Sequence, residues 1–155
     1  MLDTEFREVV ESLHGNFEKL MAMEPVTVDT APAGNGTPKG GGYLFTKEGR
    51  HFYVGRTKRR IRERLKDHVS SADDCPFAWR LAREKTGKFR TYKSEGSQRG
   101  LLRDREFLAA YQEAKRQIRT MEVRYVEEPD PLRQTLLEIY VAVATSAKHN
   151  DFDAH

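Results

Sequence analysis

Tyr43 and Tyr53 stand ten residues apart in GGYLFTKEGRHFYVG, each close to a glycine, with a turn between them. Lys47-Glu48-Gly49 predicts a three-residue hairpin loop, a type I turn closed by a left-handed residue that suits glycine. That loop puts Thr46 opposite Arg50 and Tyr43 opposite Tyr53. Opposed residues share a sheet face with Cβ atoms ~5 Å apart, so the two phenols project side by side. Leu44, Phe52 and Val54 then form the core face. A two-residue loop would shift the register and send the tyrosines to opposite faces. An ordinary cross-strand aromatic pair has the same pattern, so any chemistry must come from what surrounds it.

Two further places in the chain carry suitable groups. In TKRRIRERLKDHV, read as a helix over 57–69 with Ile61, Leu65 and Val69 inward, Arg64 and His68 are four apart and share a face at the edge of the apolar stripe. An arginine there can hold a phosphate by two parallel hydrogen bonds, and a histidine can move protons near neutral pH. Glu138 is the one charged residue in TLLEIYVAVATSA. A helix that apolar is mostly buried, so its carboxylate must pair with a cation, bind a metal or take up a proton. A single carboxylate suits Mg²⁺, which keeps most of its waters and accepts phosphate oxygens. A salt bridge to an arginine of the basic helix is the alternative.

The rest of the chain must position these groups. Its 155 residues suffice for one domain with a modest core, at 37% apolar and 33% charged residues. No run approaches the ~20 apolar residues of a membrane span, and MLDTEFREVVE has no cleavable secretory pattern. Cys75 is alone, which excludes an internal disulfide and fits a reducing cytoplasm. Residues 50–105 hold 17 Lys and Arg against 7 Asp and Glu, in a chain whose net charge is only +3. Such a basic centre suits a polyanion, or simply a solvated arginine-rich surface.

Leu2, Phe6, Val9, Leu13, Phe17 and Leu20 predict a helix over 2–20, with Gly15-Asn16 as a point of interruption. It suits packing, or a seam between two copies in a homodimer. Residues 25–42 read as a Gly/Pro-rich linker, giving an N-terminal extension over 1–40 and a main domain over 41–155. Strands are predicted at 42–47 and 50–55, helices at 75–85 and 104–119, a loop at 88–101 and a strand at 121–127. A last helix runs from Asp130-Pro131, its N-cap and first position, to about Ala144.

Together these pieces resemble the GIY-YIG nuclease family. Gly41-Gly42-Tyr43 matches the first motif, with Gly42 where the family has isoleucine or valine. Tyr53-Val54-Gly55 matches the second. Arg64, His68, Glu138 and Asn150 fall on the family's arginine, the residue four later, its metal-binding glutamate and its asparagine near the domain end, and His155 on a terminal histidine seen in part of the family. The resemblance implies an α+β fold, a small three-stranded antiparallel sheet flanked by helices, here behind an N-terminal helical extension. It also implies phosphodiester cleavage with one divalent ion, Mg²⁺ or Mn²⁺, held by Glu138.

The mechanism expected is hydrolysis in which Tyr43 takes a proton from water, relayed through His68, after nearby positive charge lowers its pKa. Tyr53 positions water or phosphate and Arg64 stabilises the phosphoryl oxygens. Arg56, Asn150 and His155 support them. Arg56, Lys58, Arg59, Arg60, Lys66, Arg90 and Lys93 are expected to contact DNA phosphates and Tyr92 to stack on a base, with Trp79 in the core. Phosphate contacts do not read the sugar, so RNA stands beside DNA as a substrate. The alternative is a non-catalytic nucleic-acid-binding module on the same scaffold.

Overall fold

The computed structural model describes residues 2–89 and 97–150. The chain forms two compact units, one of Met1–Arg64 with Met121–His155 and the other of Leu65–Thr120.

The first unit is built on a three-stranded antiparallel sheet in the order β2-β1-β3, from β1 (Lys39–Lys47), β2 (Arg50–Arg60) and β3 (Glu122–Glu127). α1 (Thr4–Ala22) and α6 (Pro131–Thr145) cover one face. There Leu13 and Leu20 of α1 meet Leu44, Val54 and Val126 of the sheet and Leu137, Val141 and Ala142 of α6. Each such side chain, fully buried, contributes about 1.5–3 kcal/mol. α1 runs unbroken through Gly15-Asn16, capped by the Asp3 carboxylate, which accepts from the Phe6 N–H at 2.9 Å. Its first turns stand clear, with Leu2 and Phe6 exposed. α6 starts as its sequence predicts, with Asp130 accepting from the Arg133 N–H at 2.9 Å and Pro131 at the first position.

Three expectations are corrected in this unit. The stretch 25–42 is not a free linker: Val28 and Ala31 are buried, Val26 exchanges backbone hydrogen bonds with Val123 at 2.9 and 2.7 Å, and β1 already begins at Lys39. The helix expected over 57–69 is strand up to Arg60, and only Ile61–Asp67 is helical, as α2. Arg56, Lys58, Arg59 and Arg60 therefore lie on β2.

The third correction concerns the hairpin. Its loop has two residues, since Lys47 pairs with Arg50. Glu48 and Gly49 have φ of 51° and 77°, the pair of positive values that a tight antiparallel turn needs. The one-residue slip this causes is followed at once by a second. Thr46 pairs with His51 but Phe45 with Tyr53, so Phe52 is the extra residue of a β-bulge. Phe52 leaves the core face and packs against the His149 ring, centroids 5.2 Å apart. Beyond the bulge Tyr43 faces Gly55 rather than Tyr53. Tyr43, Phe45 and Tyr53 still share a face, because the loop and the bulge each shift the register by one residue and the total of two restores the alternation.

The second unit contains α3 (Pro76–Thr86), α4 (Gln98–Arg103) and α5 (Arg105–Thr120). Trp79 packs on Phe107 and Tyr111 with ring centroids 4.7 and 5.5 Å apart, a core position as expected. Ser97 caps α4, so the described end of the predicted 88–101 loop is helical. No described helix is long and apolar enough to cross a membrane.

Candidate functional site

Tyr43 sits on the central strand and is fully buried. Its ring lies across Gly55, its direct partner on β2, and a Cβ at Gly55 would overlap the Tyr43 hydroxyl and ring edge. The glycine of Tyr53-Val54-Gly55 is therefore the bed on which the first phenol rests. The Phe45 ring meets it edge-on, centroids 5.9 Å apart at 88°. Arg64, in the first turns of α2, donates from Nε to the Tyr43 hydroxyl oxygen at 3.3 Å.

Burial pushes the Tyr43 phenol well above the usual tyrosine range, and the nearby Tyr53 phenol and Glu138 carboxylate push the same way. The charge and hydrogen bond of Arg64 oppose them and are outweighed. Arg64 thus acts in the expected direction but does not suffice alone: desolvation of a phenolate costs more than one guanidinium returns. At neutral pH Tyr43 is a neutral phenol.

Glu138 projects from α6 and pairs with Arg56, Nε to Oε2 at 3.3 Å. The partner is on β2, not on the basic helix. Burial holds the Glu138 carboxyl above the usual carboxylate range, and the Arg56 charge offsets this only in part. Among the described residues no three of His, Cys, Asp and Glu come together as a metal-holding group. The described residues thus offer no multidentate cage there. What Glu138 offers is one under-compensated, 23%-exposed carboxylate. That fits a hydrated Mg²⁺ or Mn²⁺ held through a single protein ligand.

Asn150 grips the backbone of Val54 with both ends of its amide. Oδ1 accepts from the Val54 N–H at 2.8 Å and Nδ2 donates to the Val54 carbonyl at 2.7 Å. Lys148 and His149 add backbone bonds to His51 and Phe52 at 3.3 and 2.7 Å. The segment 148–150 thus closes the outer edge of β2 beside the bulge. Asn150, expected as a supporting residue, thus fixes the hairpin.

Arg56, Lys58 and Arg59 are exposed. Arg60 is tied inward, donating to the Thr37 carbonyl at 2.8 Å and to Asn35 Oδ1 at 3.3 Å, so its guanidinium is committed to the fold. Lys66 and His68 belong to the second unit, where His68 is wholly buried just past α2 and Val69 only half so. Arg90, Tyr92, Lys93 and His155 lie outside the described residues.

Within the first unit, then, Tyr43, Tyr53, Arg64 and Glu138 are near enough for the other three to act electrostatically on Tyr43. Sequence reasoning missed Gly55 as the seat of the phenol, although the Y-x-G spacing carried that signal. Such a group can hold a water against an anion and stabilise charge developing on it. No protein-family model matches the chain, and comparisons with curated proteins and with solved structures give no match.

Proposed function

We propose that this chain is a metal-dependent endonuclease of the GIY-YIG type, hydrolysing phosphodiester bonds in DNA. The observation that carries the reading is the Tyr43 phenol, seated on Gly55, bonded to Arg64 and within electrostatic reach of Tyr53 and Glu138. In its phenolate form Tyr43 removes the proton of the attacking water. Arg64 stabilises that phenolate and the phosphoryl oxygens beside it. Tyr53, half-buried on the same face, orients the water or the phosphate. Glu138 holds the divalent cation, which when bound supplies positive charge for the leaving 3′ oxygen. Lys58 and Arg59, exposed on β2, meet backbone phosphates. The lone Cys75 suits a cytoplasmic setting.

A non-catalytic nucleic-acid-binding module is the second reading, favoured by the neutral Tyr43 and the paired Glu138. Supercoiled plasmid separates the two. The nuclease nicks it in Mg²⁺ and not in EDTA, and Glu138→Ala stops nicking while DNA binding stays measurable. Binding without nicking by the unaltered chain, over linear, branched and single-stranded DNA as well, establishes the module instead.

A further inference from the structure

Arg56 is held less firmly than Arg60 and Arg133 of the same unit. Arg60 is anchored to Thr37 and Asn35, and Arg133 to Glu128 at 2.8 Å and Ser12 at 2.6 Å. Arg56 touches Glu138 at one point, through Nε, at 3.3 Å. A strong guanidinium–carboxylate pair is two-pronged, at about 2.7–2.9 Å. Among the described residues neither Arg56 nor the second oxygen of Glu138 has a further partner. The Arg56 side chain is 39% exposed, and its cross-strand neighbour is Gly42, which has no side chain to fence it in. The residue before it is Gly55, the seat of the Tyr43 phenol. A loosely held cation thus stands against the one carboxylate proposed to hold a metal, next in the chain to the seat of the Tyr43 phenol.

Resting on the nuclease reading, we propose that Arg56 is a positioning residue that changes partners. It serves as counter-ion to Glu138 while no metal is bound, and it yields that carboxylate to the cation as its guanidinium turns to a phosphate of the substrate backbone. A half-buried carboxylate left without a counter-ion is costly, so the resting chain needs a placeholder. A single-point contact lets the placeholder leave. The released guanidinium presents a planar fork that fits phosphate. Metal and nucleic acid then favour each other's binding, because each removes the competitor of the other, and the coupling is reciprocal.

The test uses the full chain and reads binding, not turnover. Mn²⁺ is titrated and its free fraction followed by electron paramagnetic resonance without DNA. A fluorescent DNA duplex with non-hydrolysable linkages is then titrated in EDTA and in Mn²⁺. Arg56→Gln is expected to bind Mn²⁺ about fivefold tighter or more. It is also expected to lose most of the gain in DNA affinity that Mn²⁺ gives the unaltered chain. Unchanged Mn²⁺ affinity in Arg56→Gln, or a Mn²⁺-dependent gain that persists there, overturns the exchange. In either case, loss of Mn²⁺ binding in Glu138→Gln leaves the metal assignment standing. Mn²⁺ binding that survives Glu138→Gln overturns that assignment, and the exchange with it.

Discussion

Among the described residues each unit buries one tyrosine almost completely, Tyr43 in the first and Tyr111 in the second, and burial raises the pKa of both. The similarity ends at the hydroxyl. Tyr111 donates to the Ala72 carbonyl at 2.8 Å and accepts from the Cys75 N–H at 3.1 Å, so its oxygen joins two backbone groups of the loop ahead of α3. Its ring lies in an aromatic cluster under the Lys115 ammonium, 4.2 Å from its centroid. Tyr43 answers instead to the guanidinium of Arg64, a second phenol and a carboxylate. A raised pKa therefore says only that a phenol is dry. Whether it is masonry or machinery depends on whether its oxygen meets backbone or charge.

Removing each hydroxyl tests that division most sharply. In Tyr43→Phe, plasmid cleavage is expected to fall about 100- to 10,000-fold, the usual worth of a general base. Tyr111→Phe should leave cleavage intact and lower stability in urea titrations by about 1–3 kcal/mol, since the Cys75 N–H loses its partner and the Ala72 carbonyl keeps only Lys115 Nζ. Equal effects of the two changes on cleavage would erase the distinction.

The pH dependence gives the next largest effect. Because the ionisation of Tyr43 lies above the ordinary ~10, the reactive phenolate is a small fraction at neutral pH. Its population, and with it the rate, should climb about tenfold per pH unit from 7 to 9. A plateau near pH 7 would assign the proton to another group. Smaller again is Gly55→Ala, where the new methyl group meets the Tyr43 hydroxyl. Chemical denaturation should show a loss of about 1–3 kcal/mol, as for other overpacked sites, with impaired cleavage.

The smallest effect is on stability at Glu138. Its folded carboxyl titrates above the unfolded 4.5, so its favourable contribution is intact below that pH and is lost as pH rises through the raised value. Glu138→Gln does not titrate. In thermal melts the variant should outlast the unaltered chain at pH 7, at about 2–4 °C per kcal/mol, and the two should converge at pH 4.

Much of the frame is legible in local chemistry. Asp130-Pro131 announces the start of α6, the alternation of Met121, Val123 and Tyr125 announces β3, and Gly87 marks the end of α3. The isolation of Glu138 in an apolar helix marks it as exceptional before any coordinates. What local reasoning cannot supply is decided by partners distant in the chain. The bulge at Phe52 is held by His149 and Asn150, and nothing near Phe52 announces it. The sheet extends through Arg60 because Lys39 lies opposite it, although TKRRIRERL reads well as a helix. The balance that keeps Tyr43 protonated depends on its depth, which the spacing of two tyrosines does not encode.

The grip of Asn150 on Val54 also sets an order of events. The two residues are separated by 96 positions, so a chain emerging from the ribosome exposes the hairpin long before its clasp exists. Glu138 likewise arrives late, well after both phenols. Until about residue 150 has been made, the outer strand is unlatched and the acid is missing or unplaced. Any cutting power in this fold is thus withheld from the nascent chain by the order of its own synthesis.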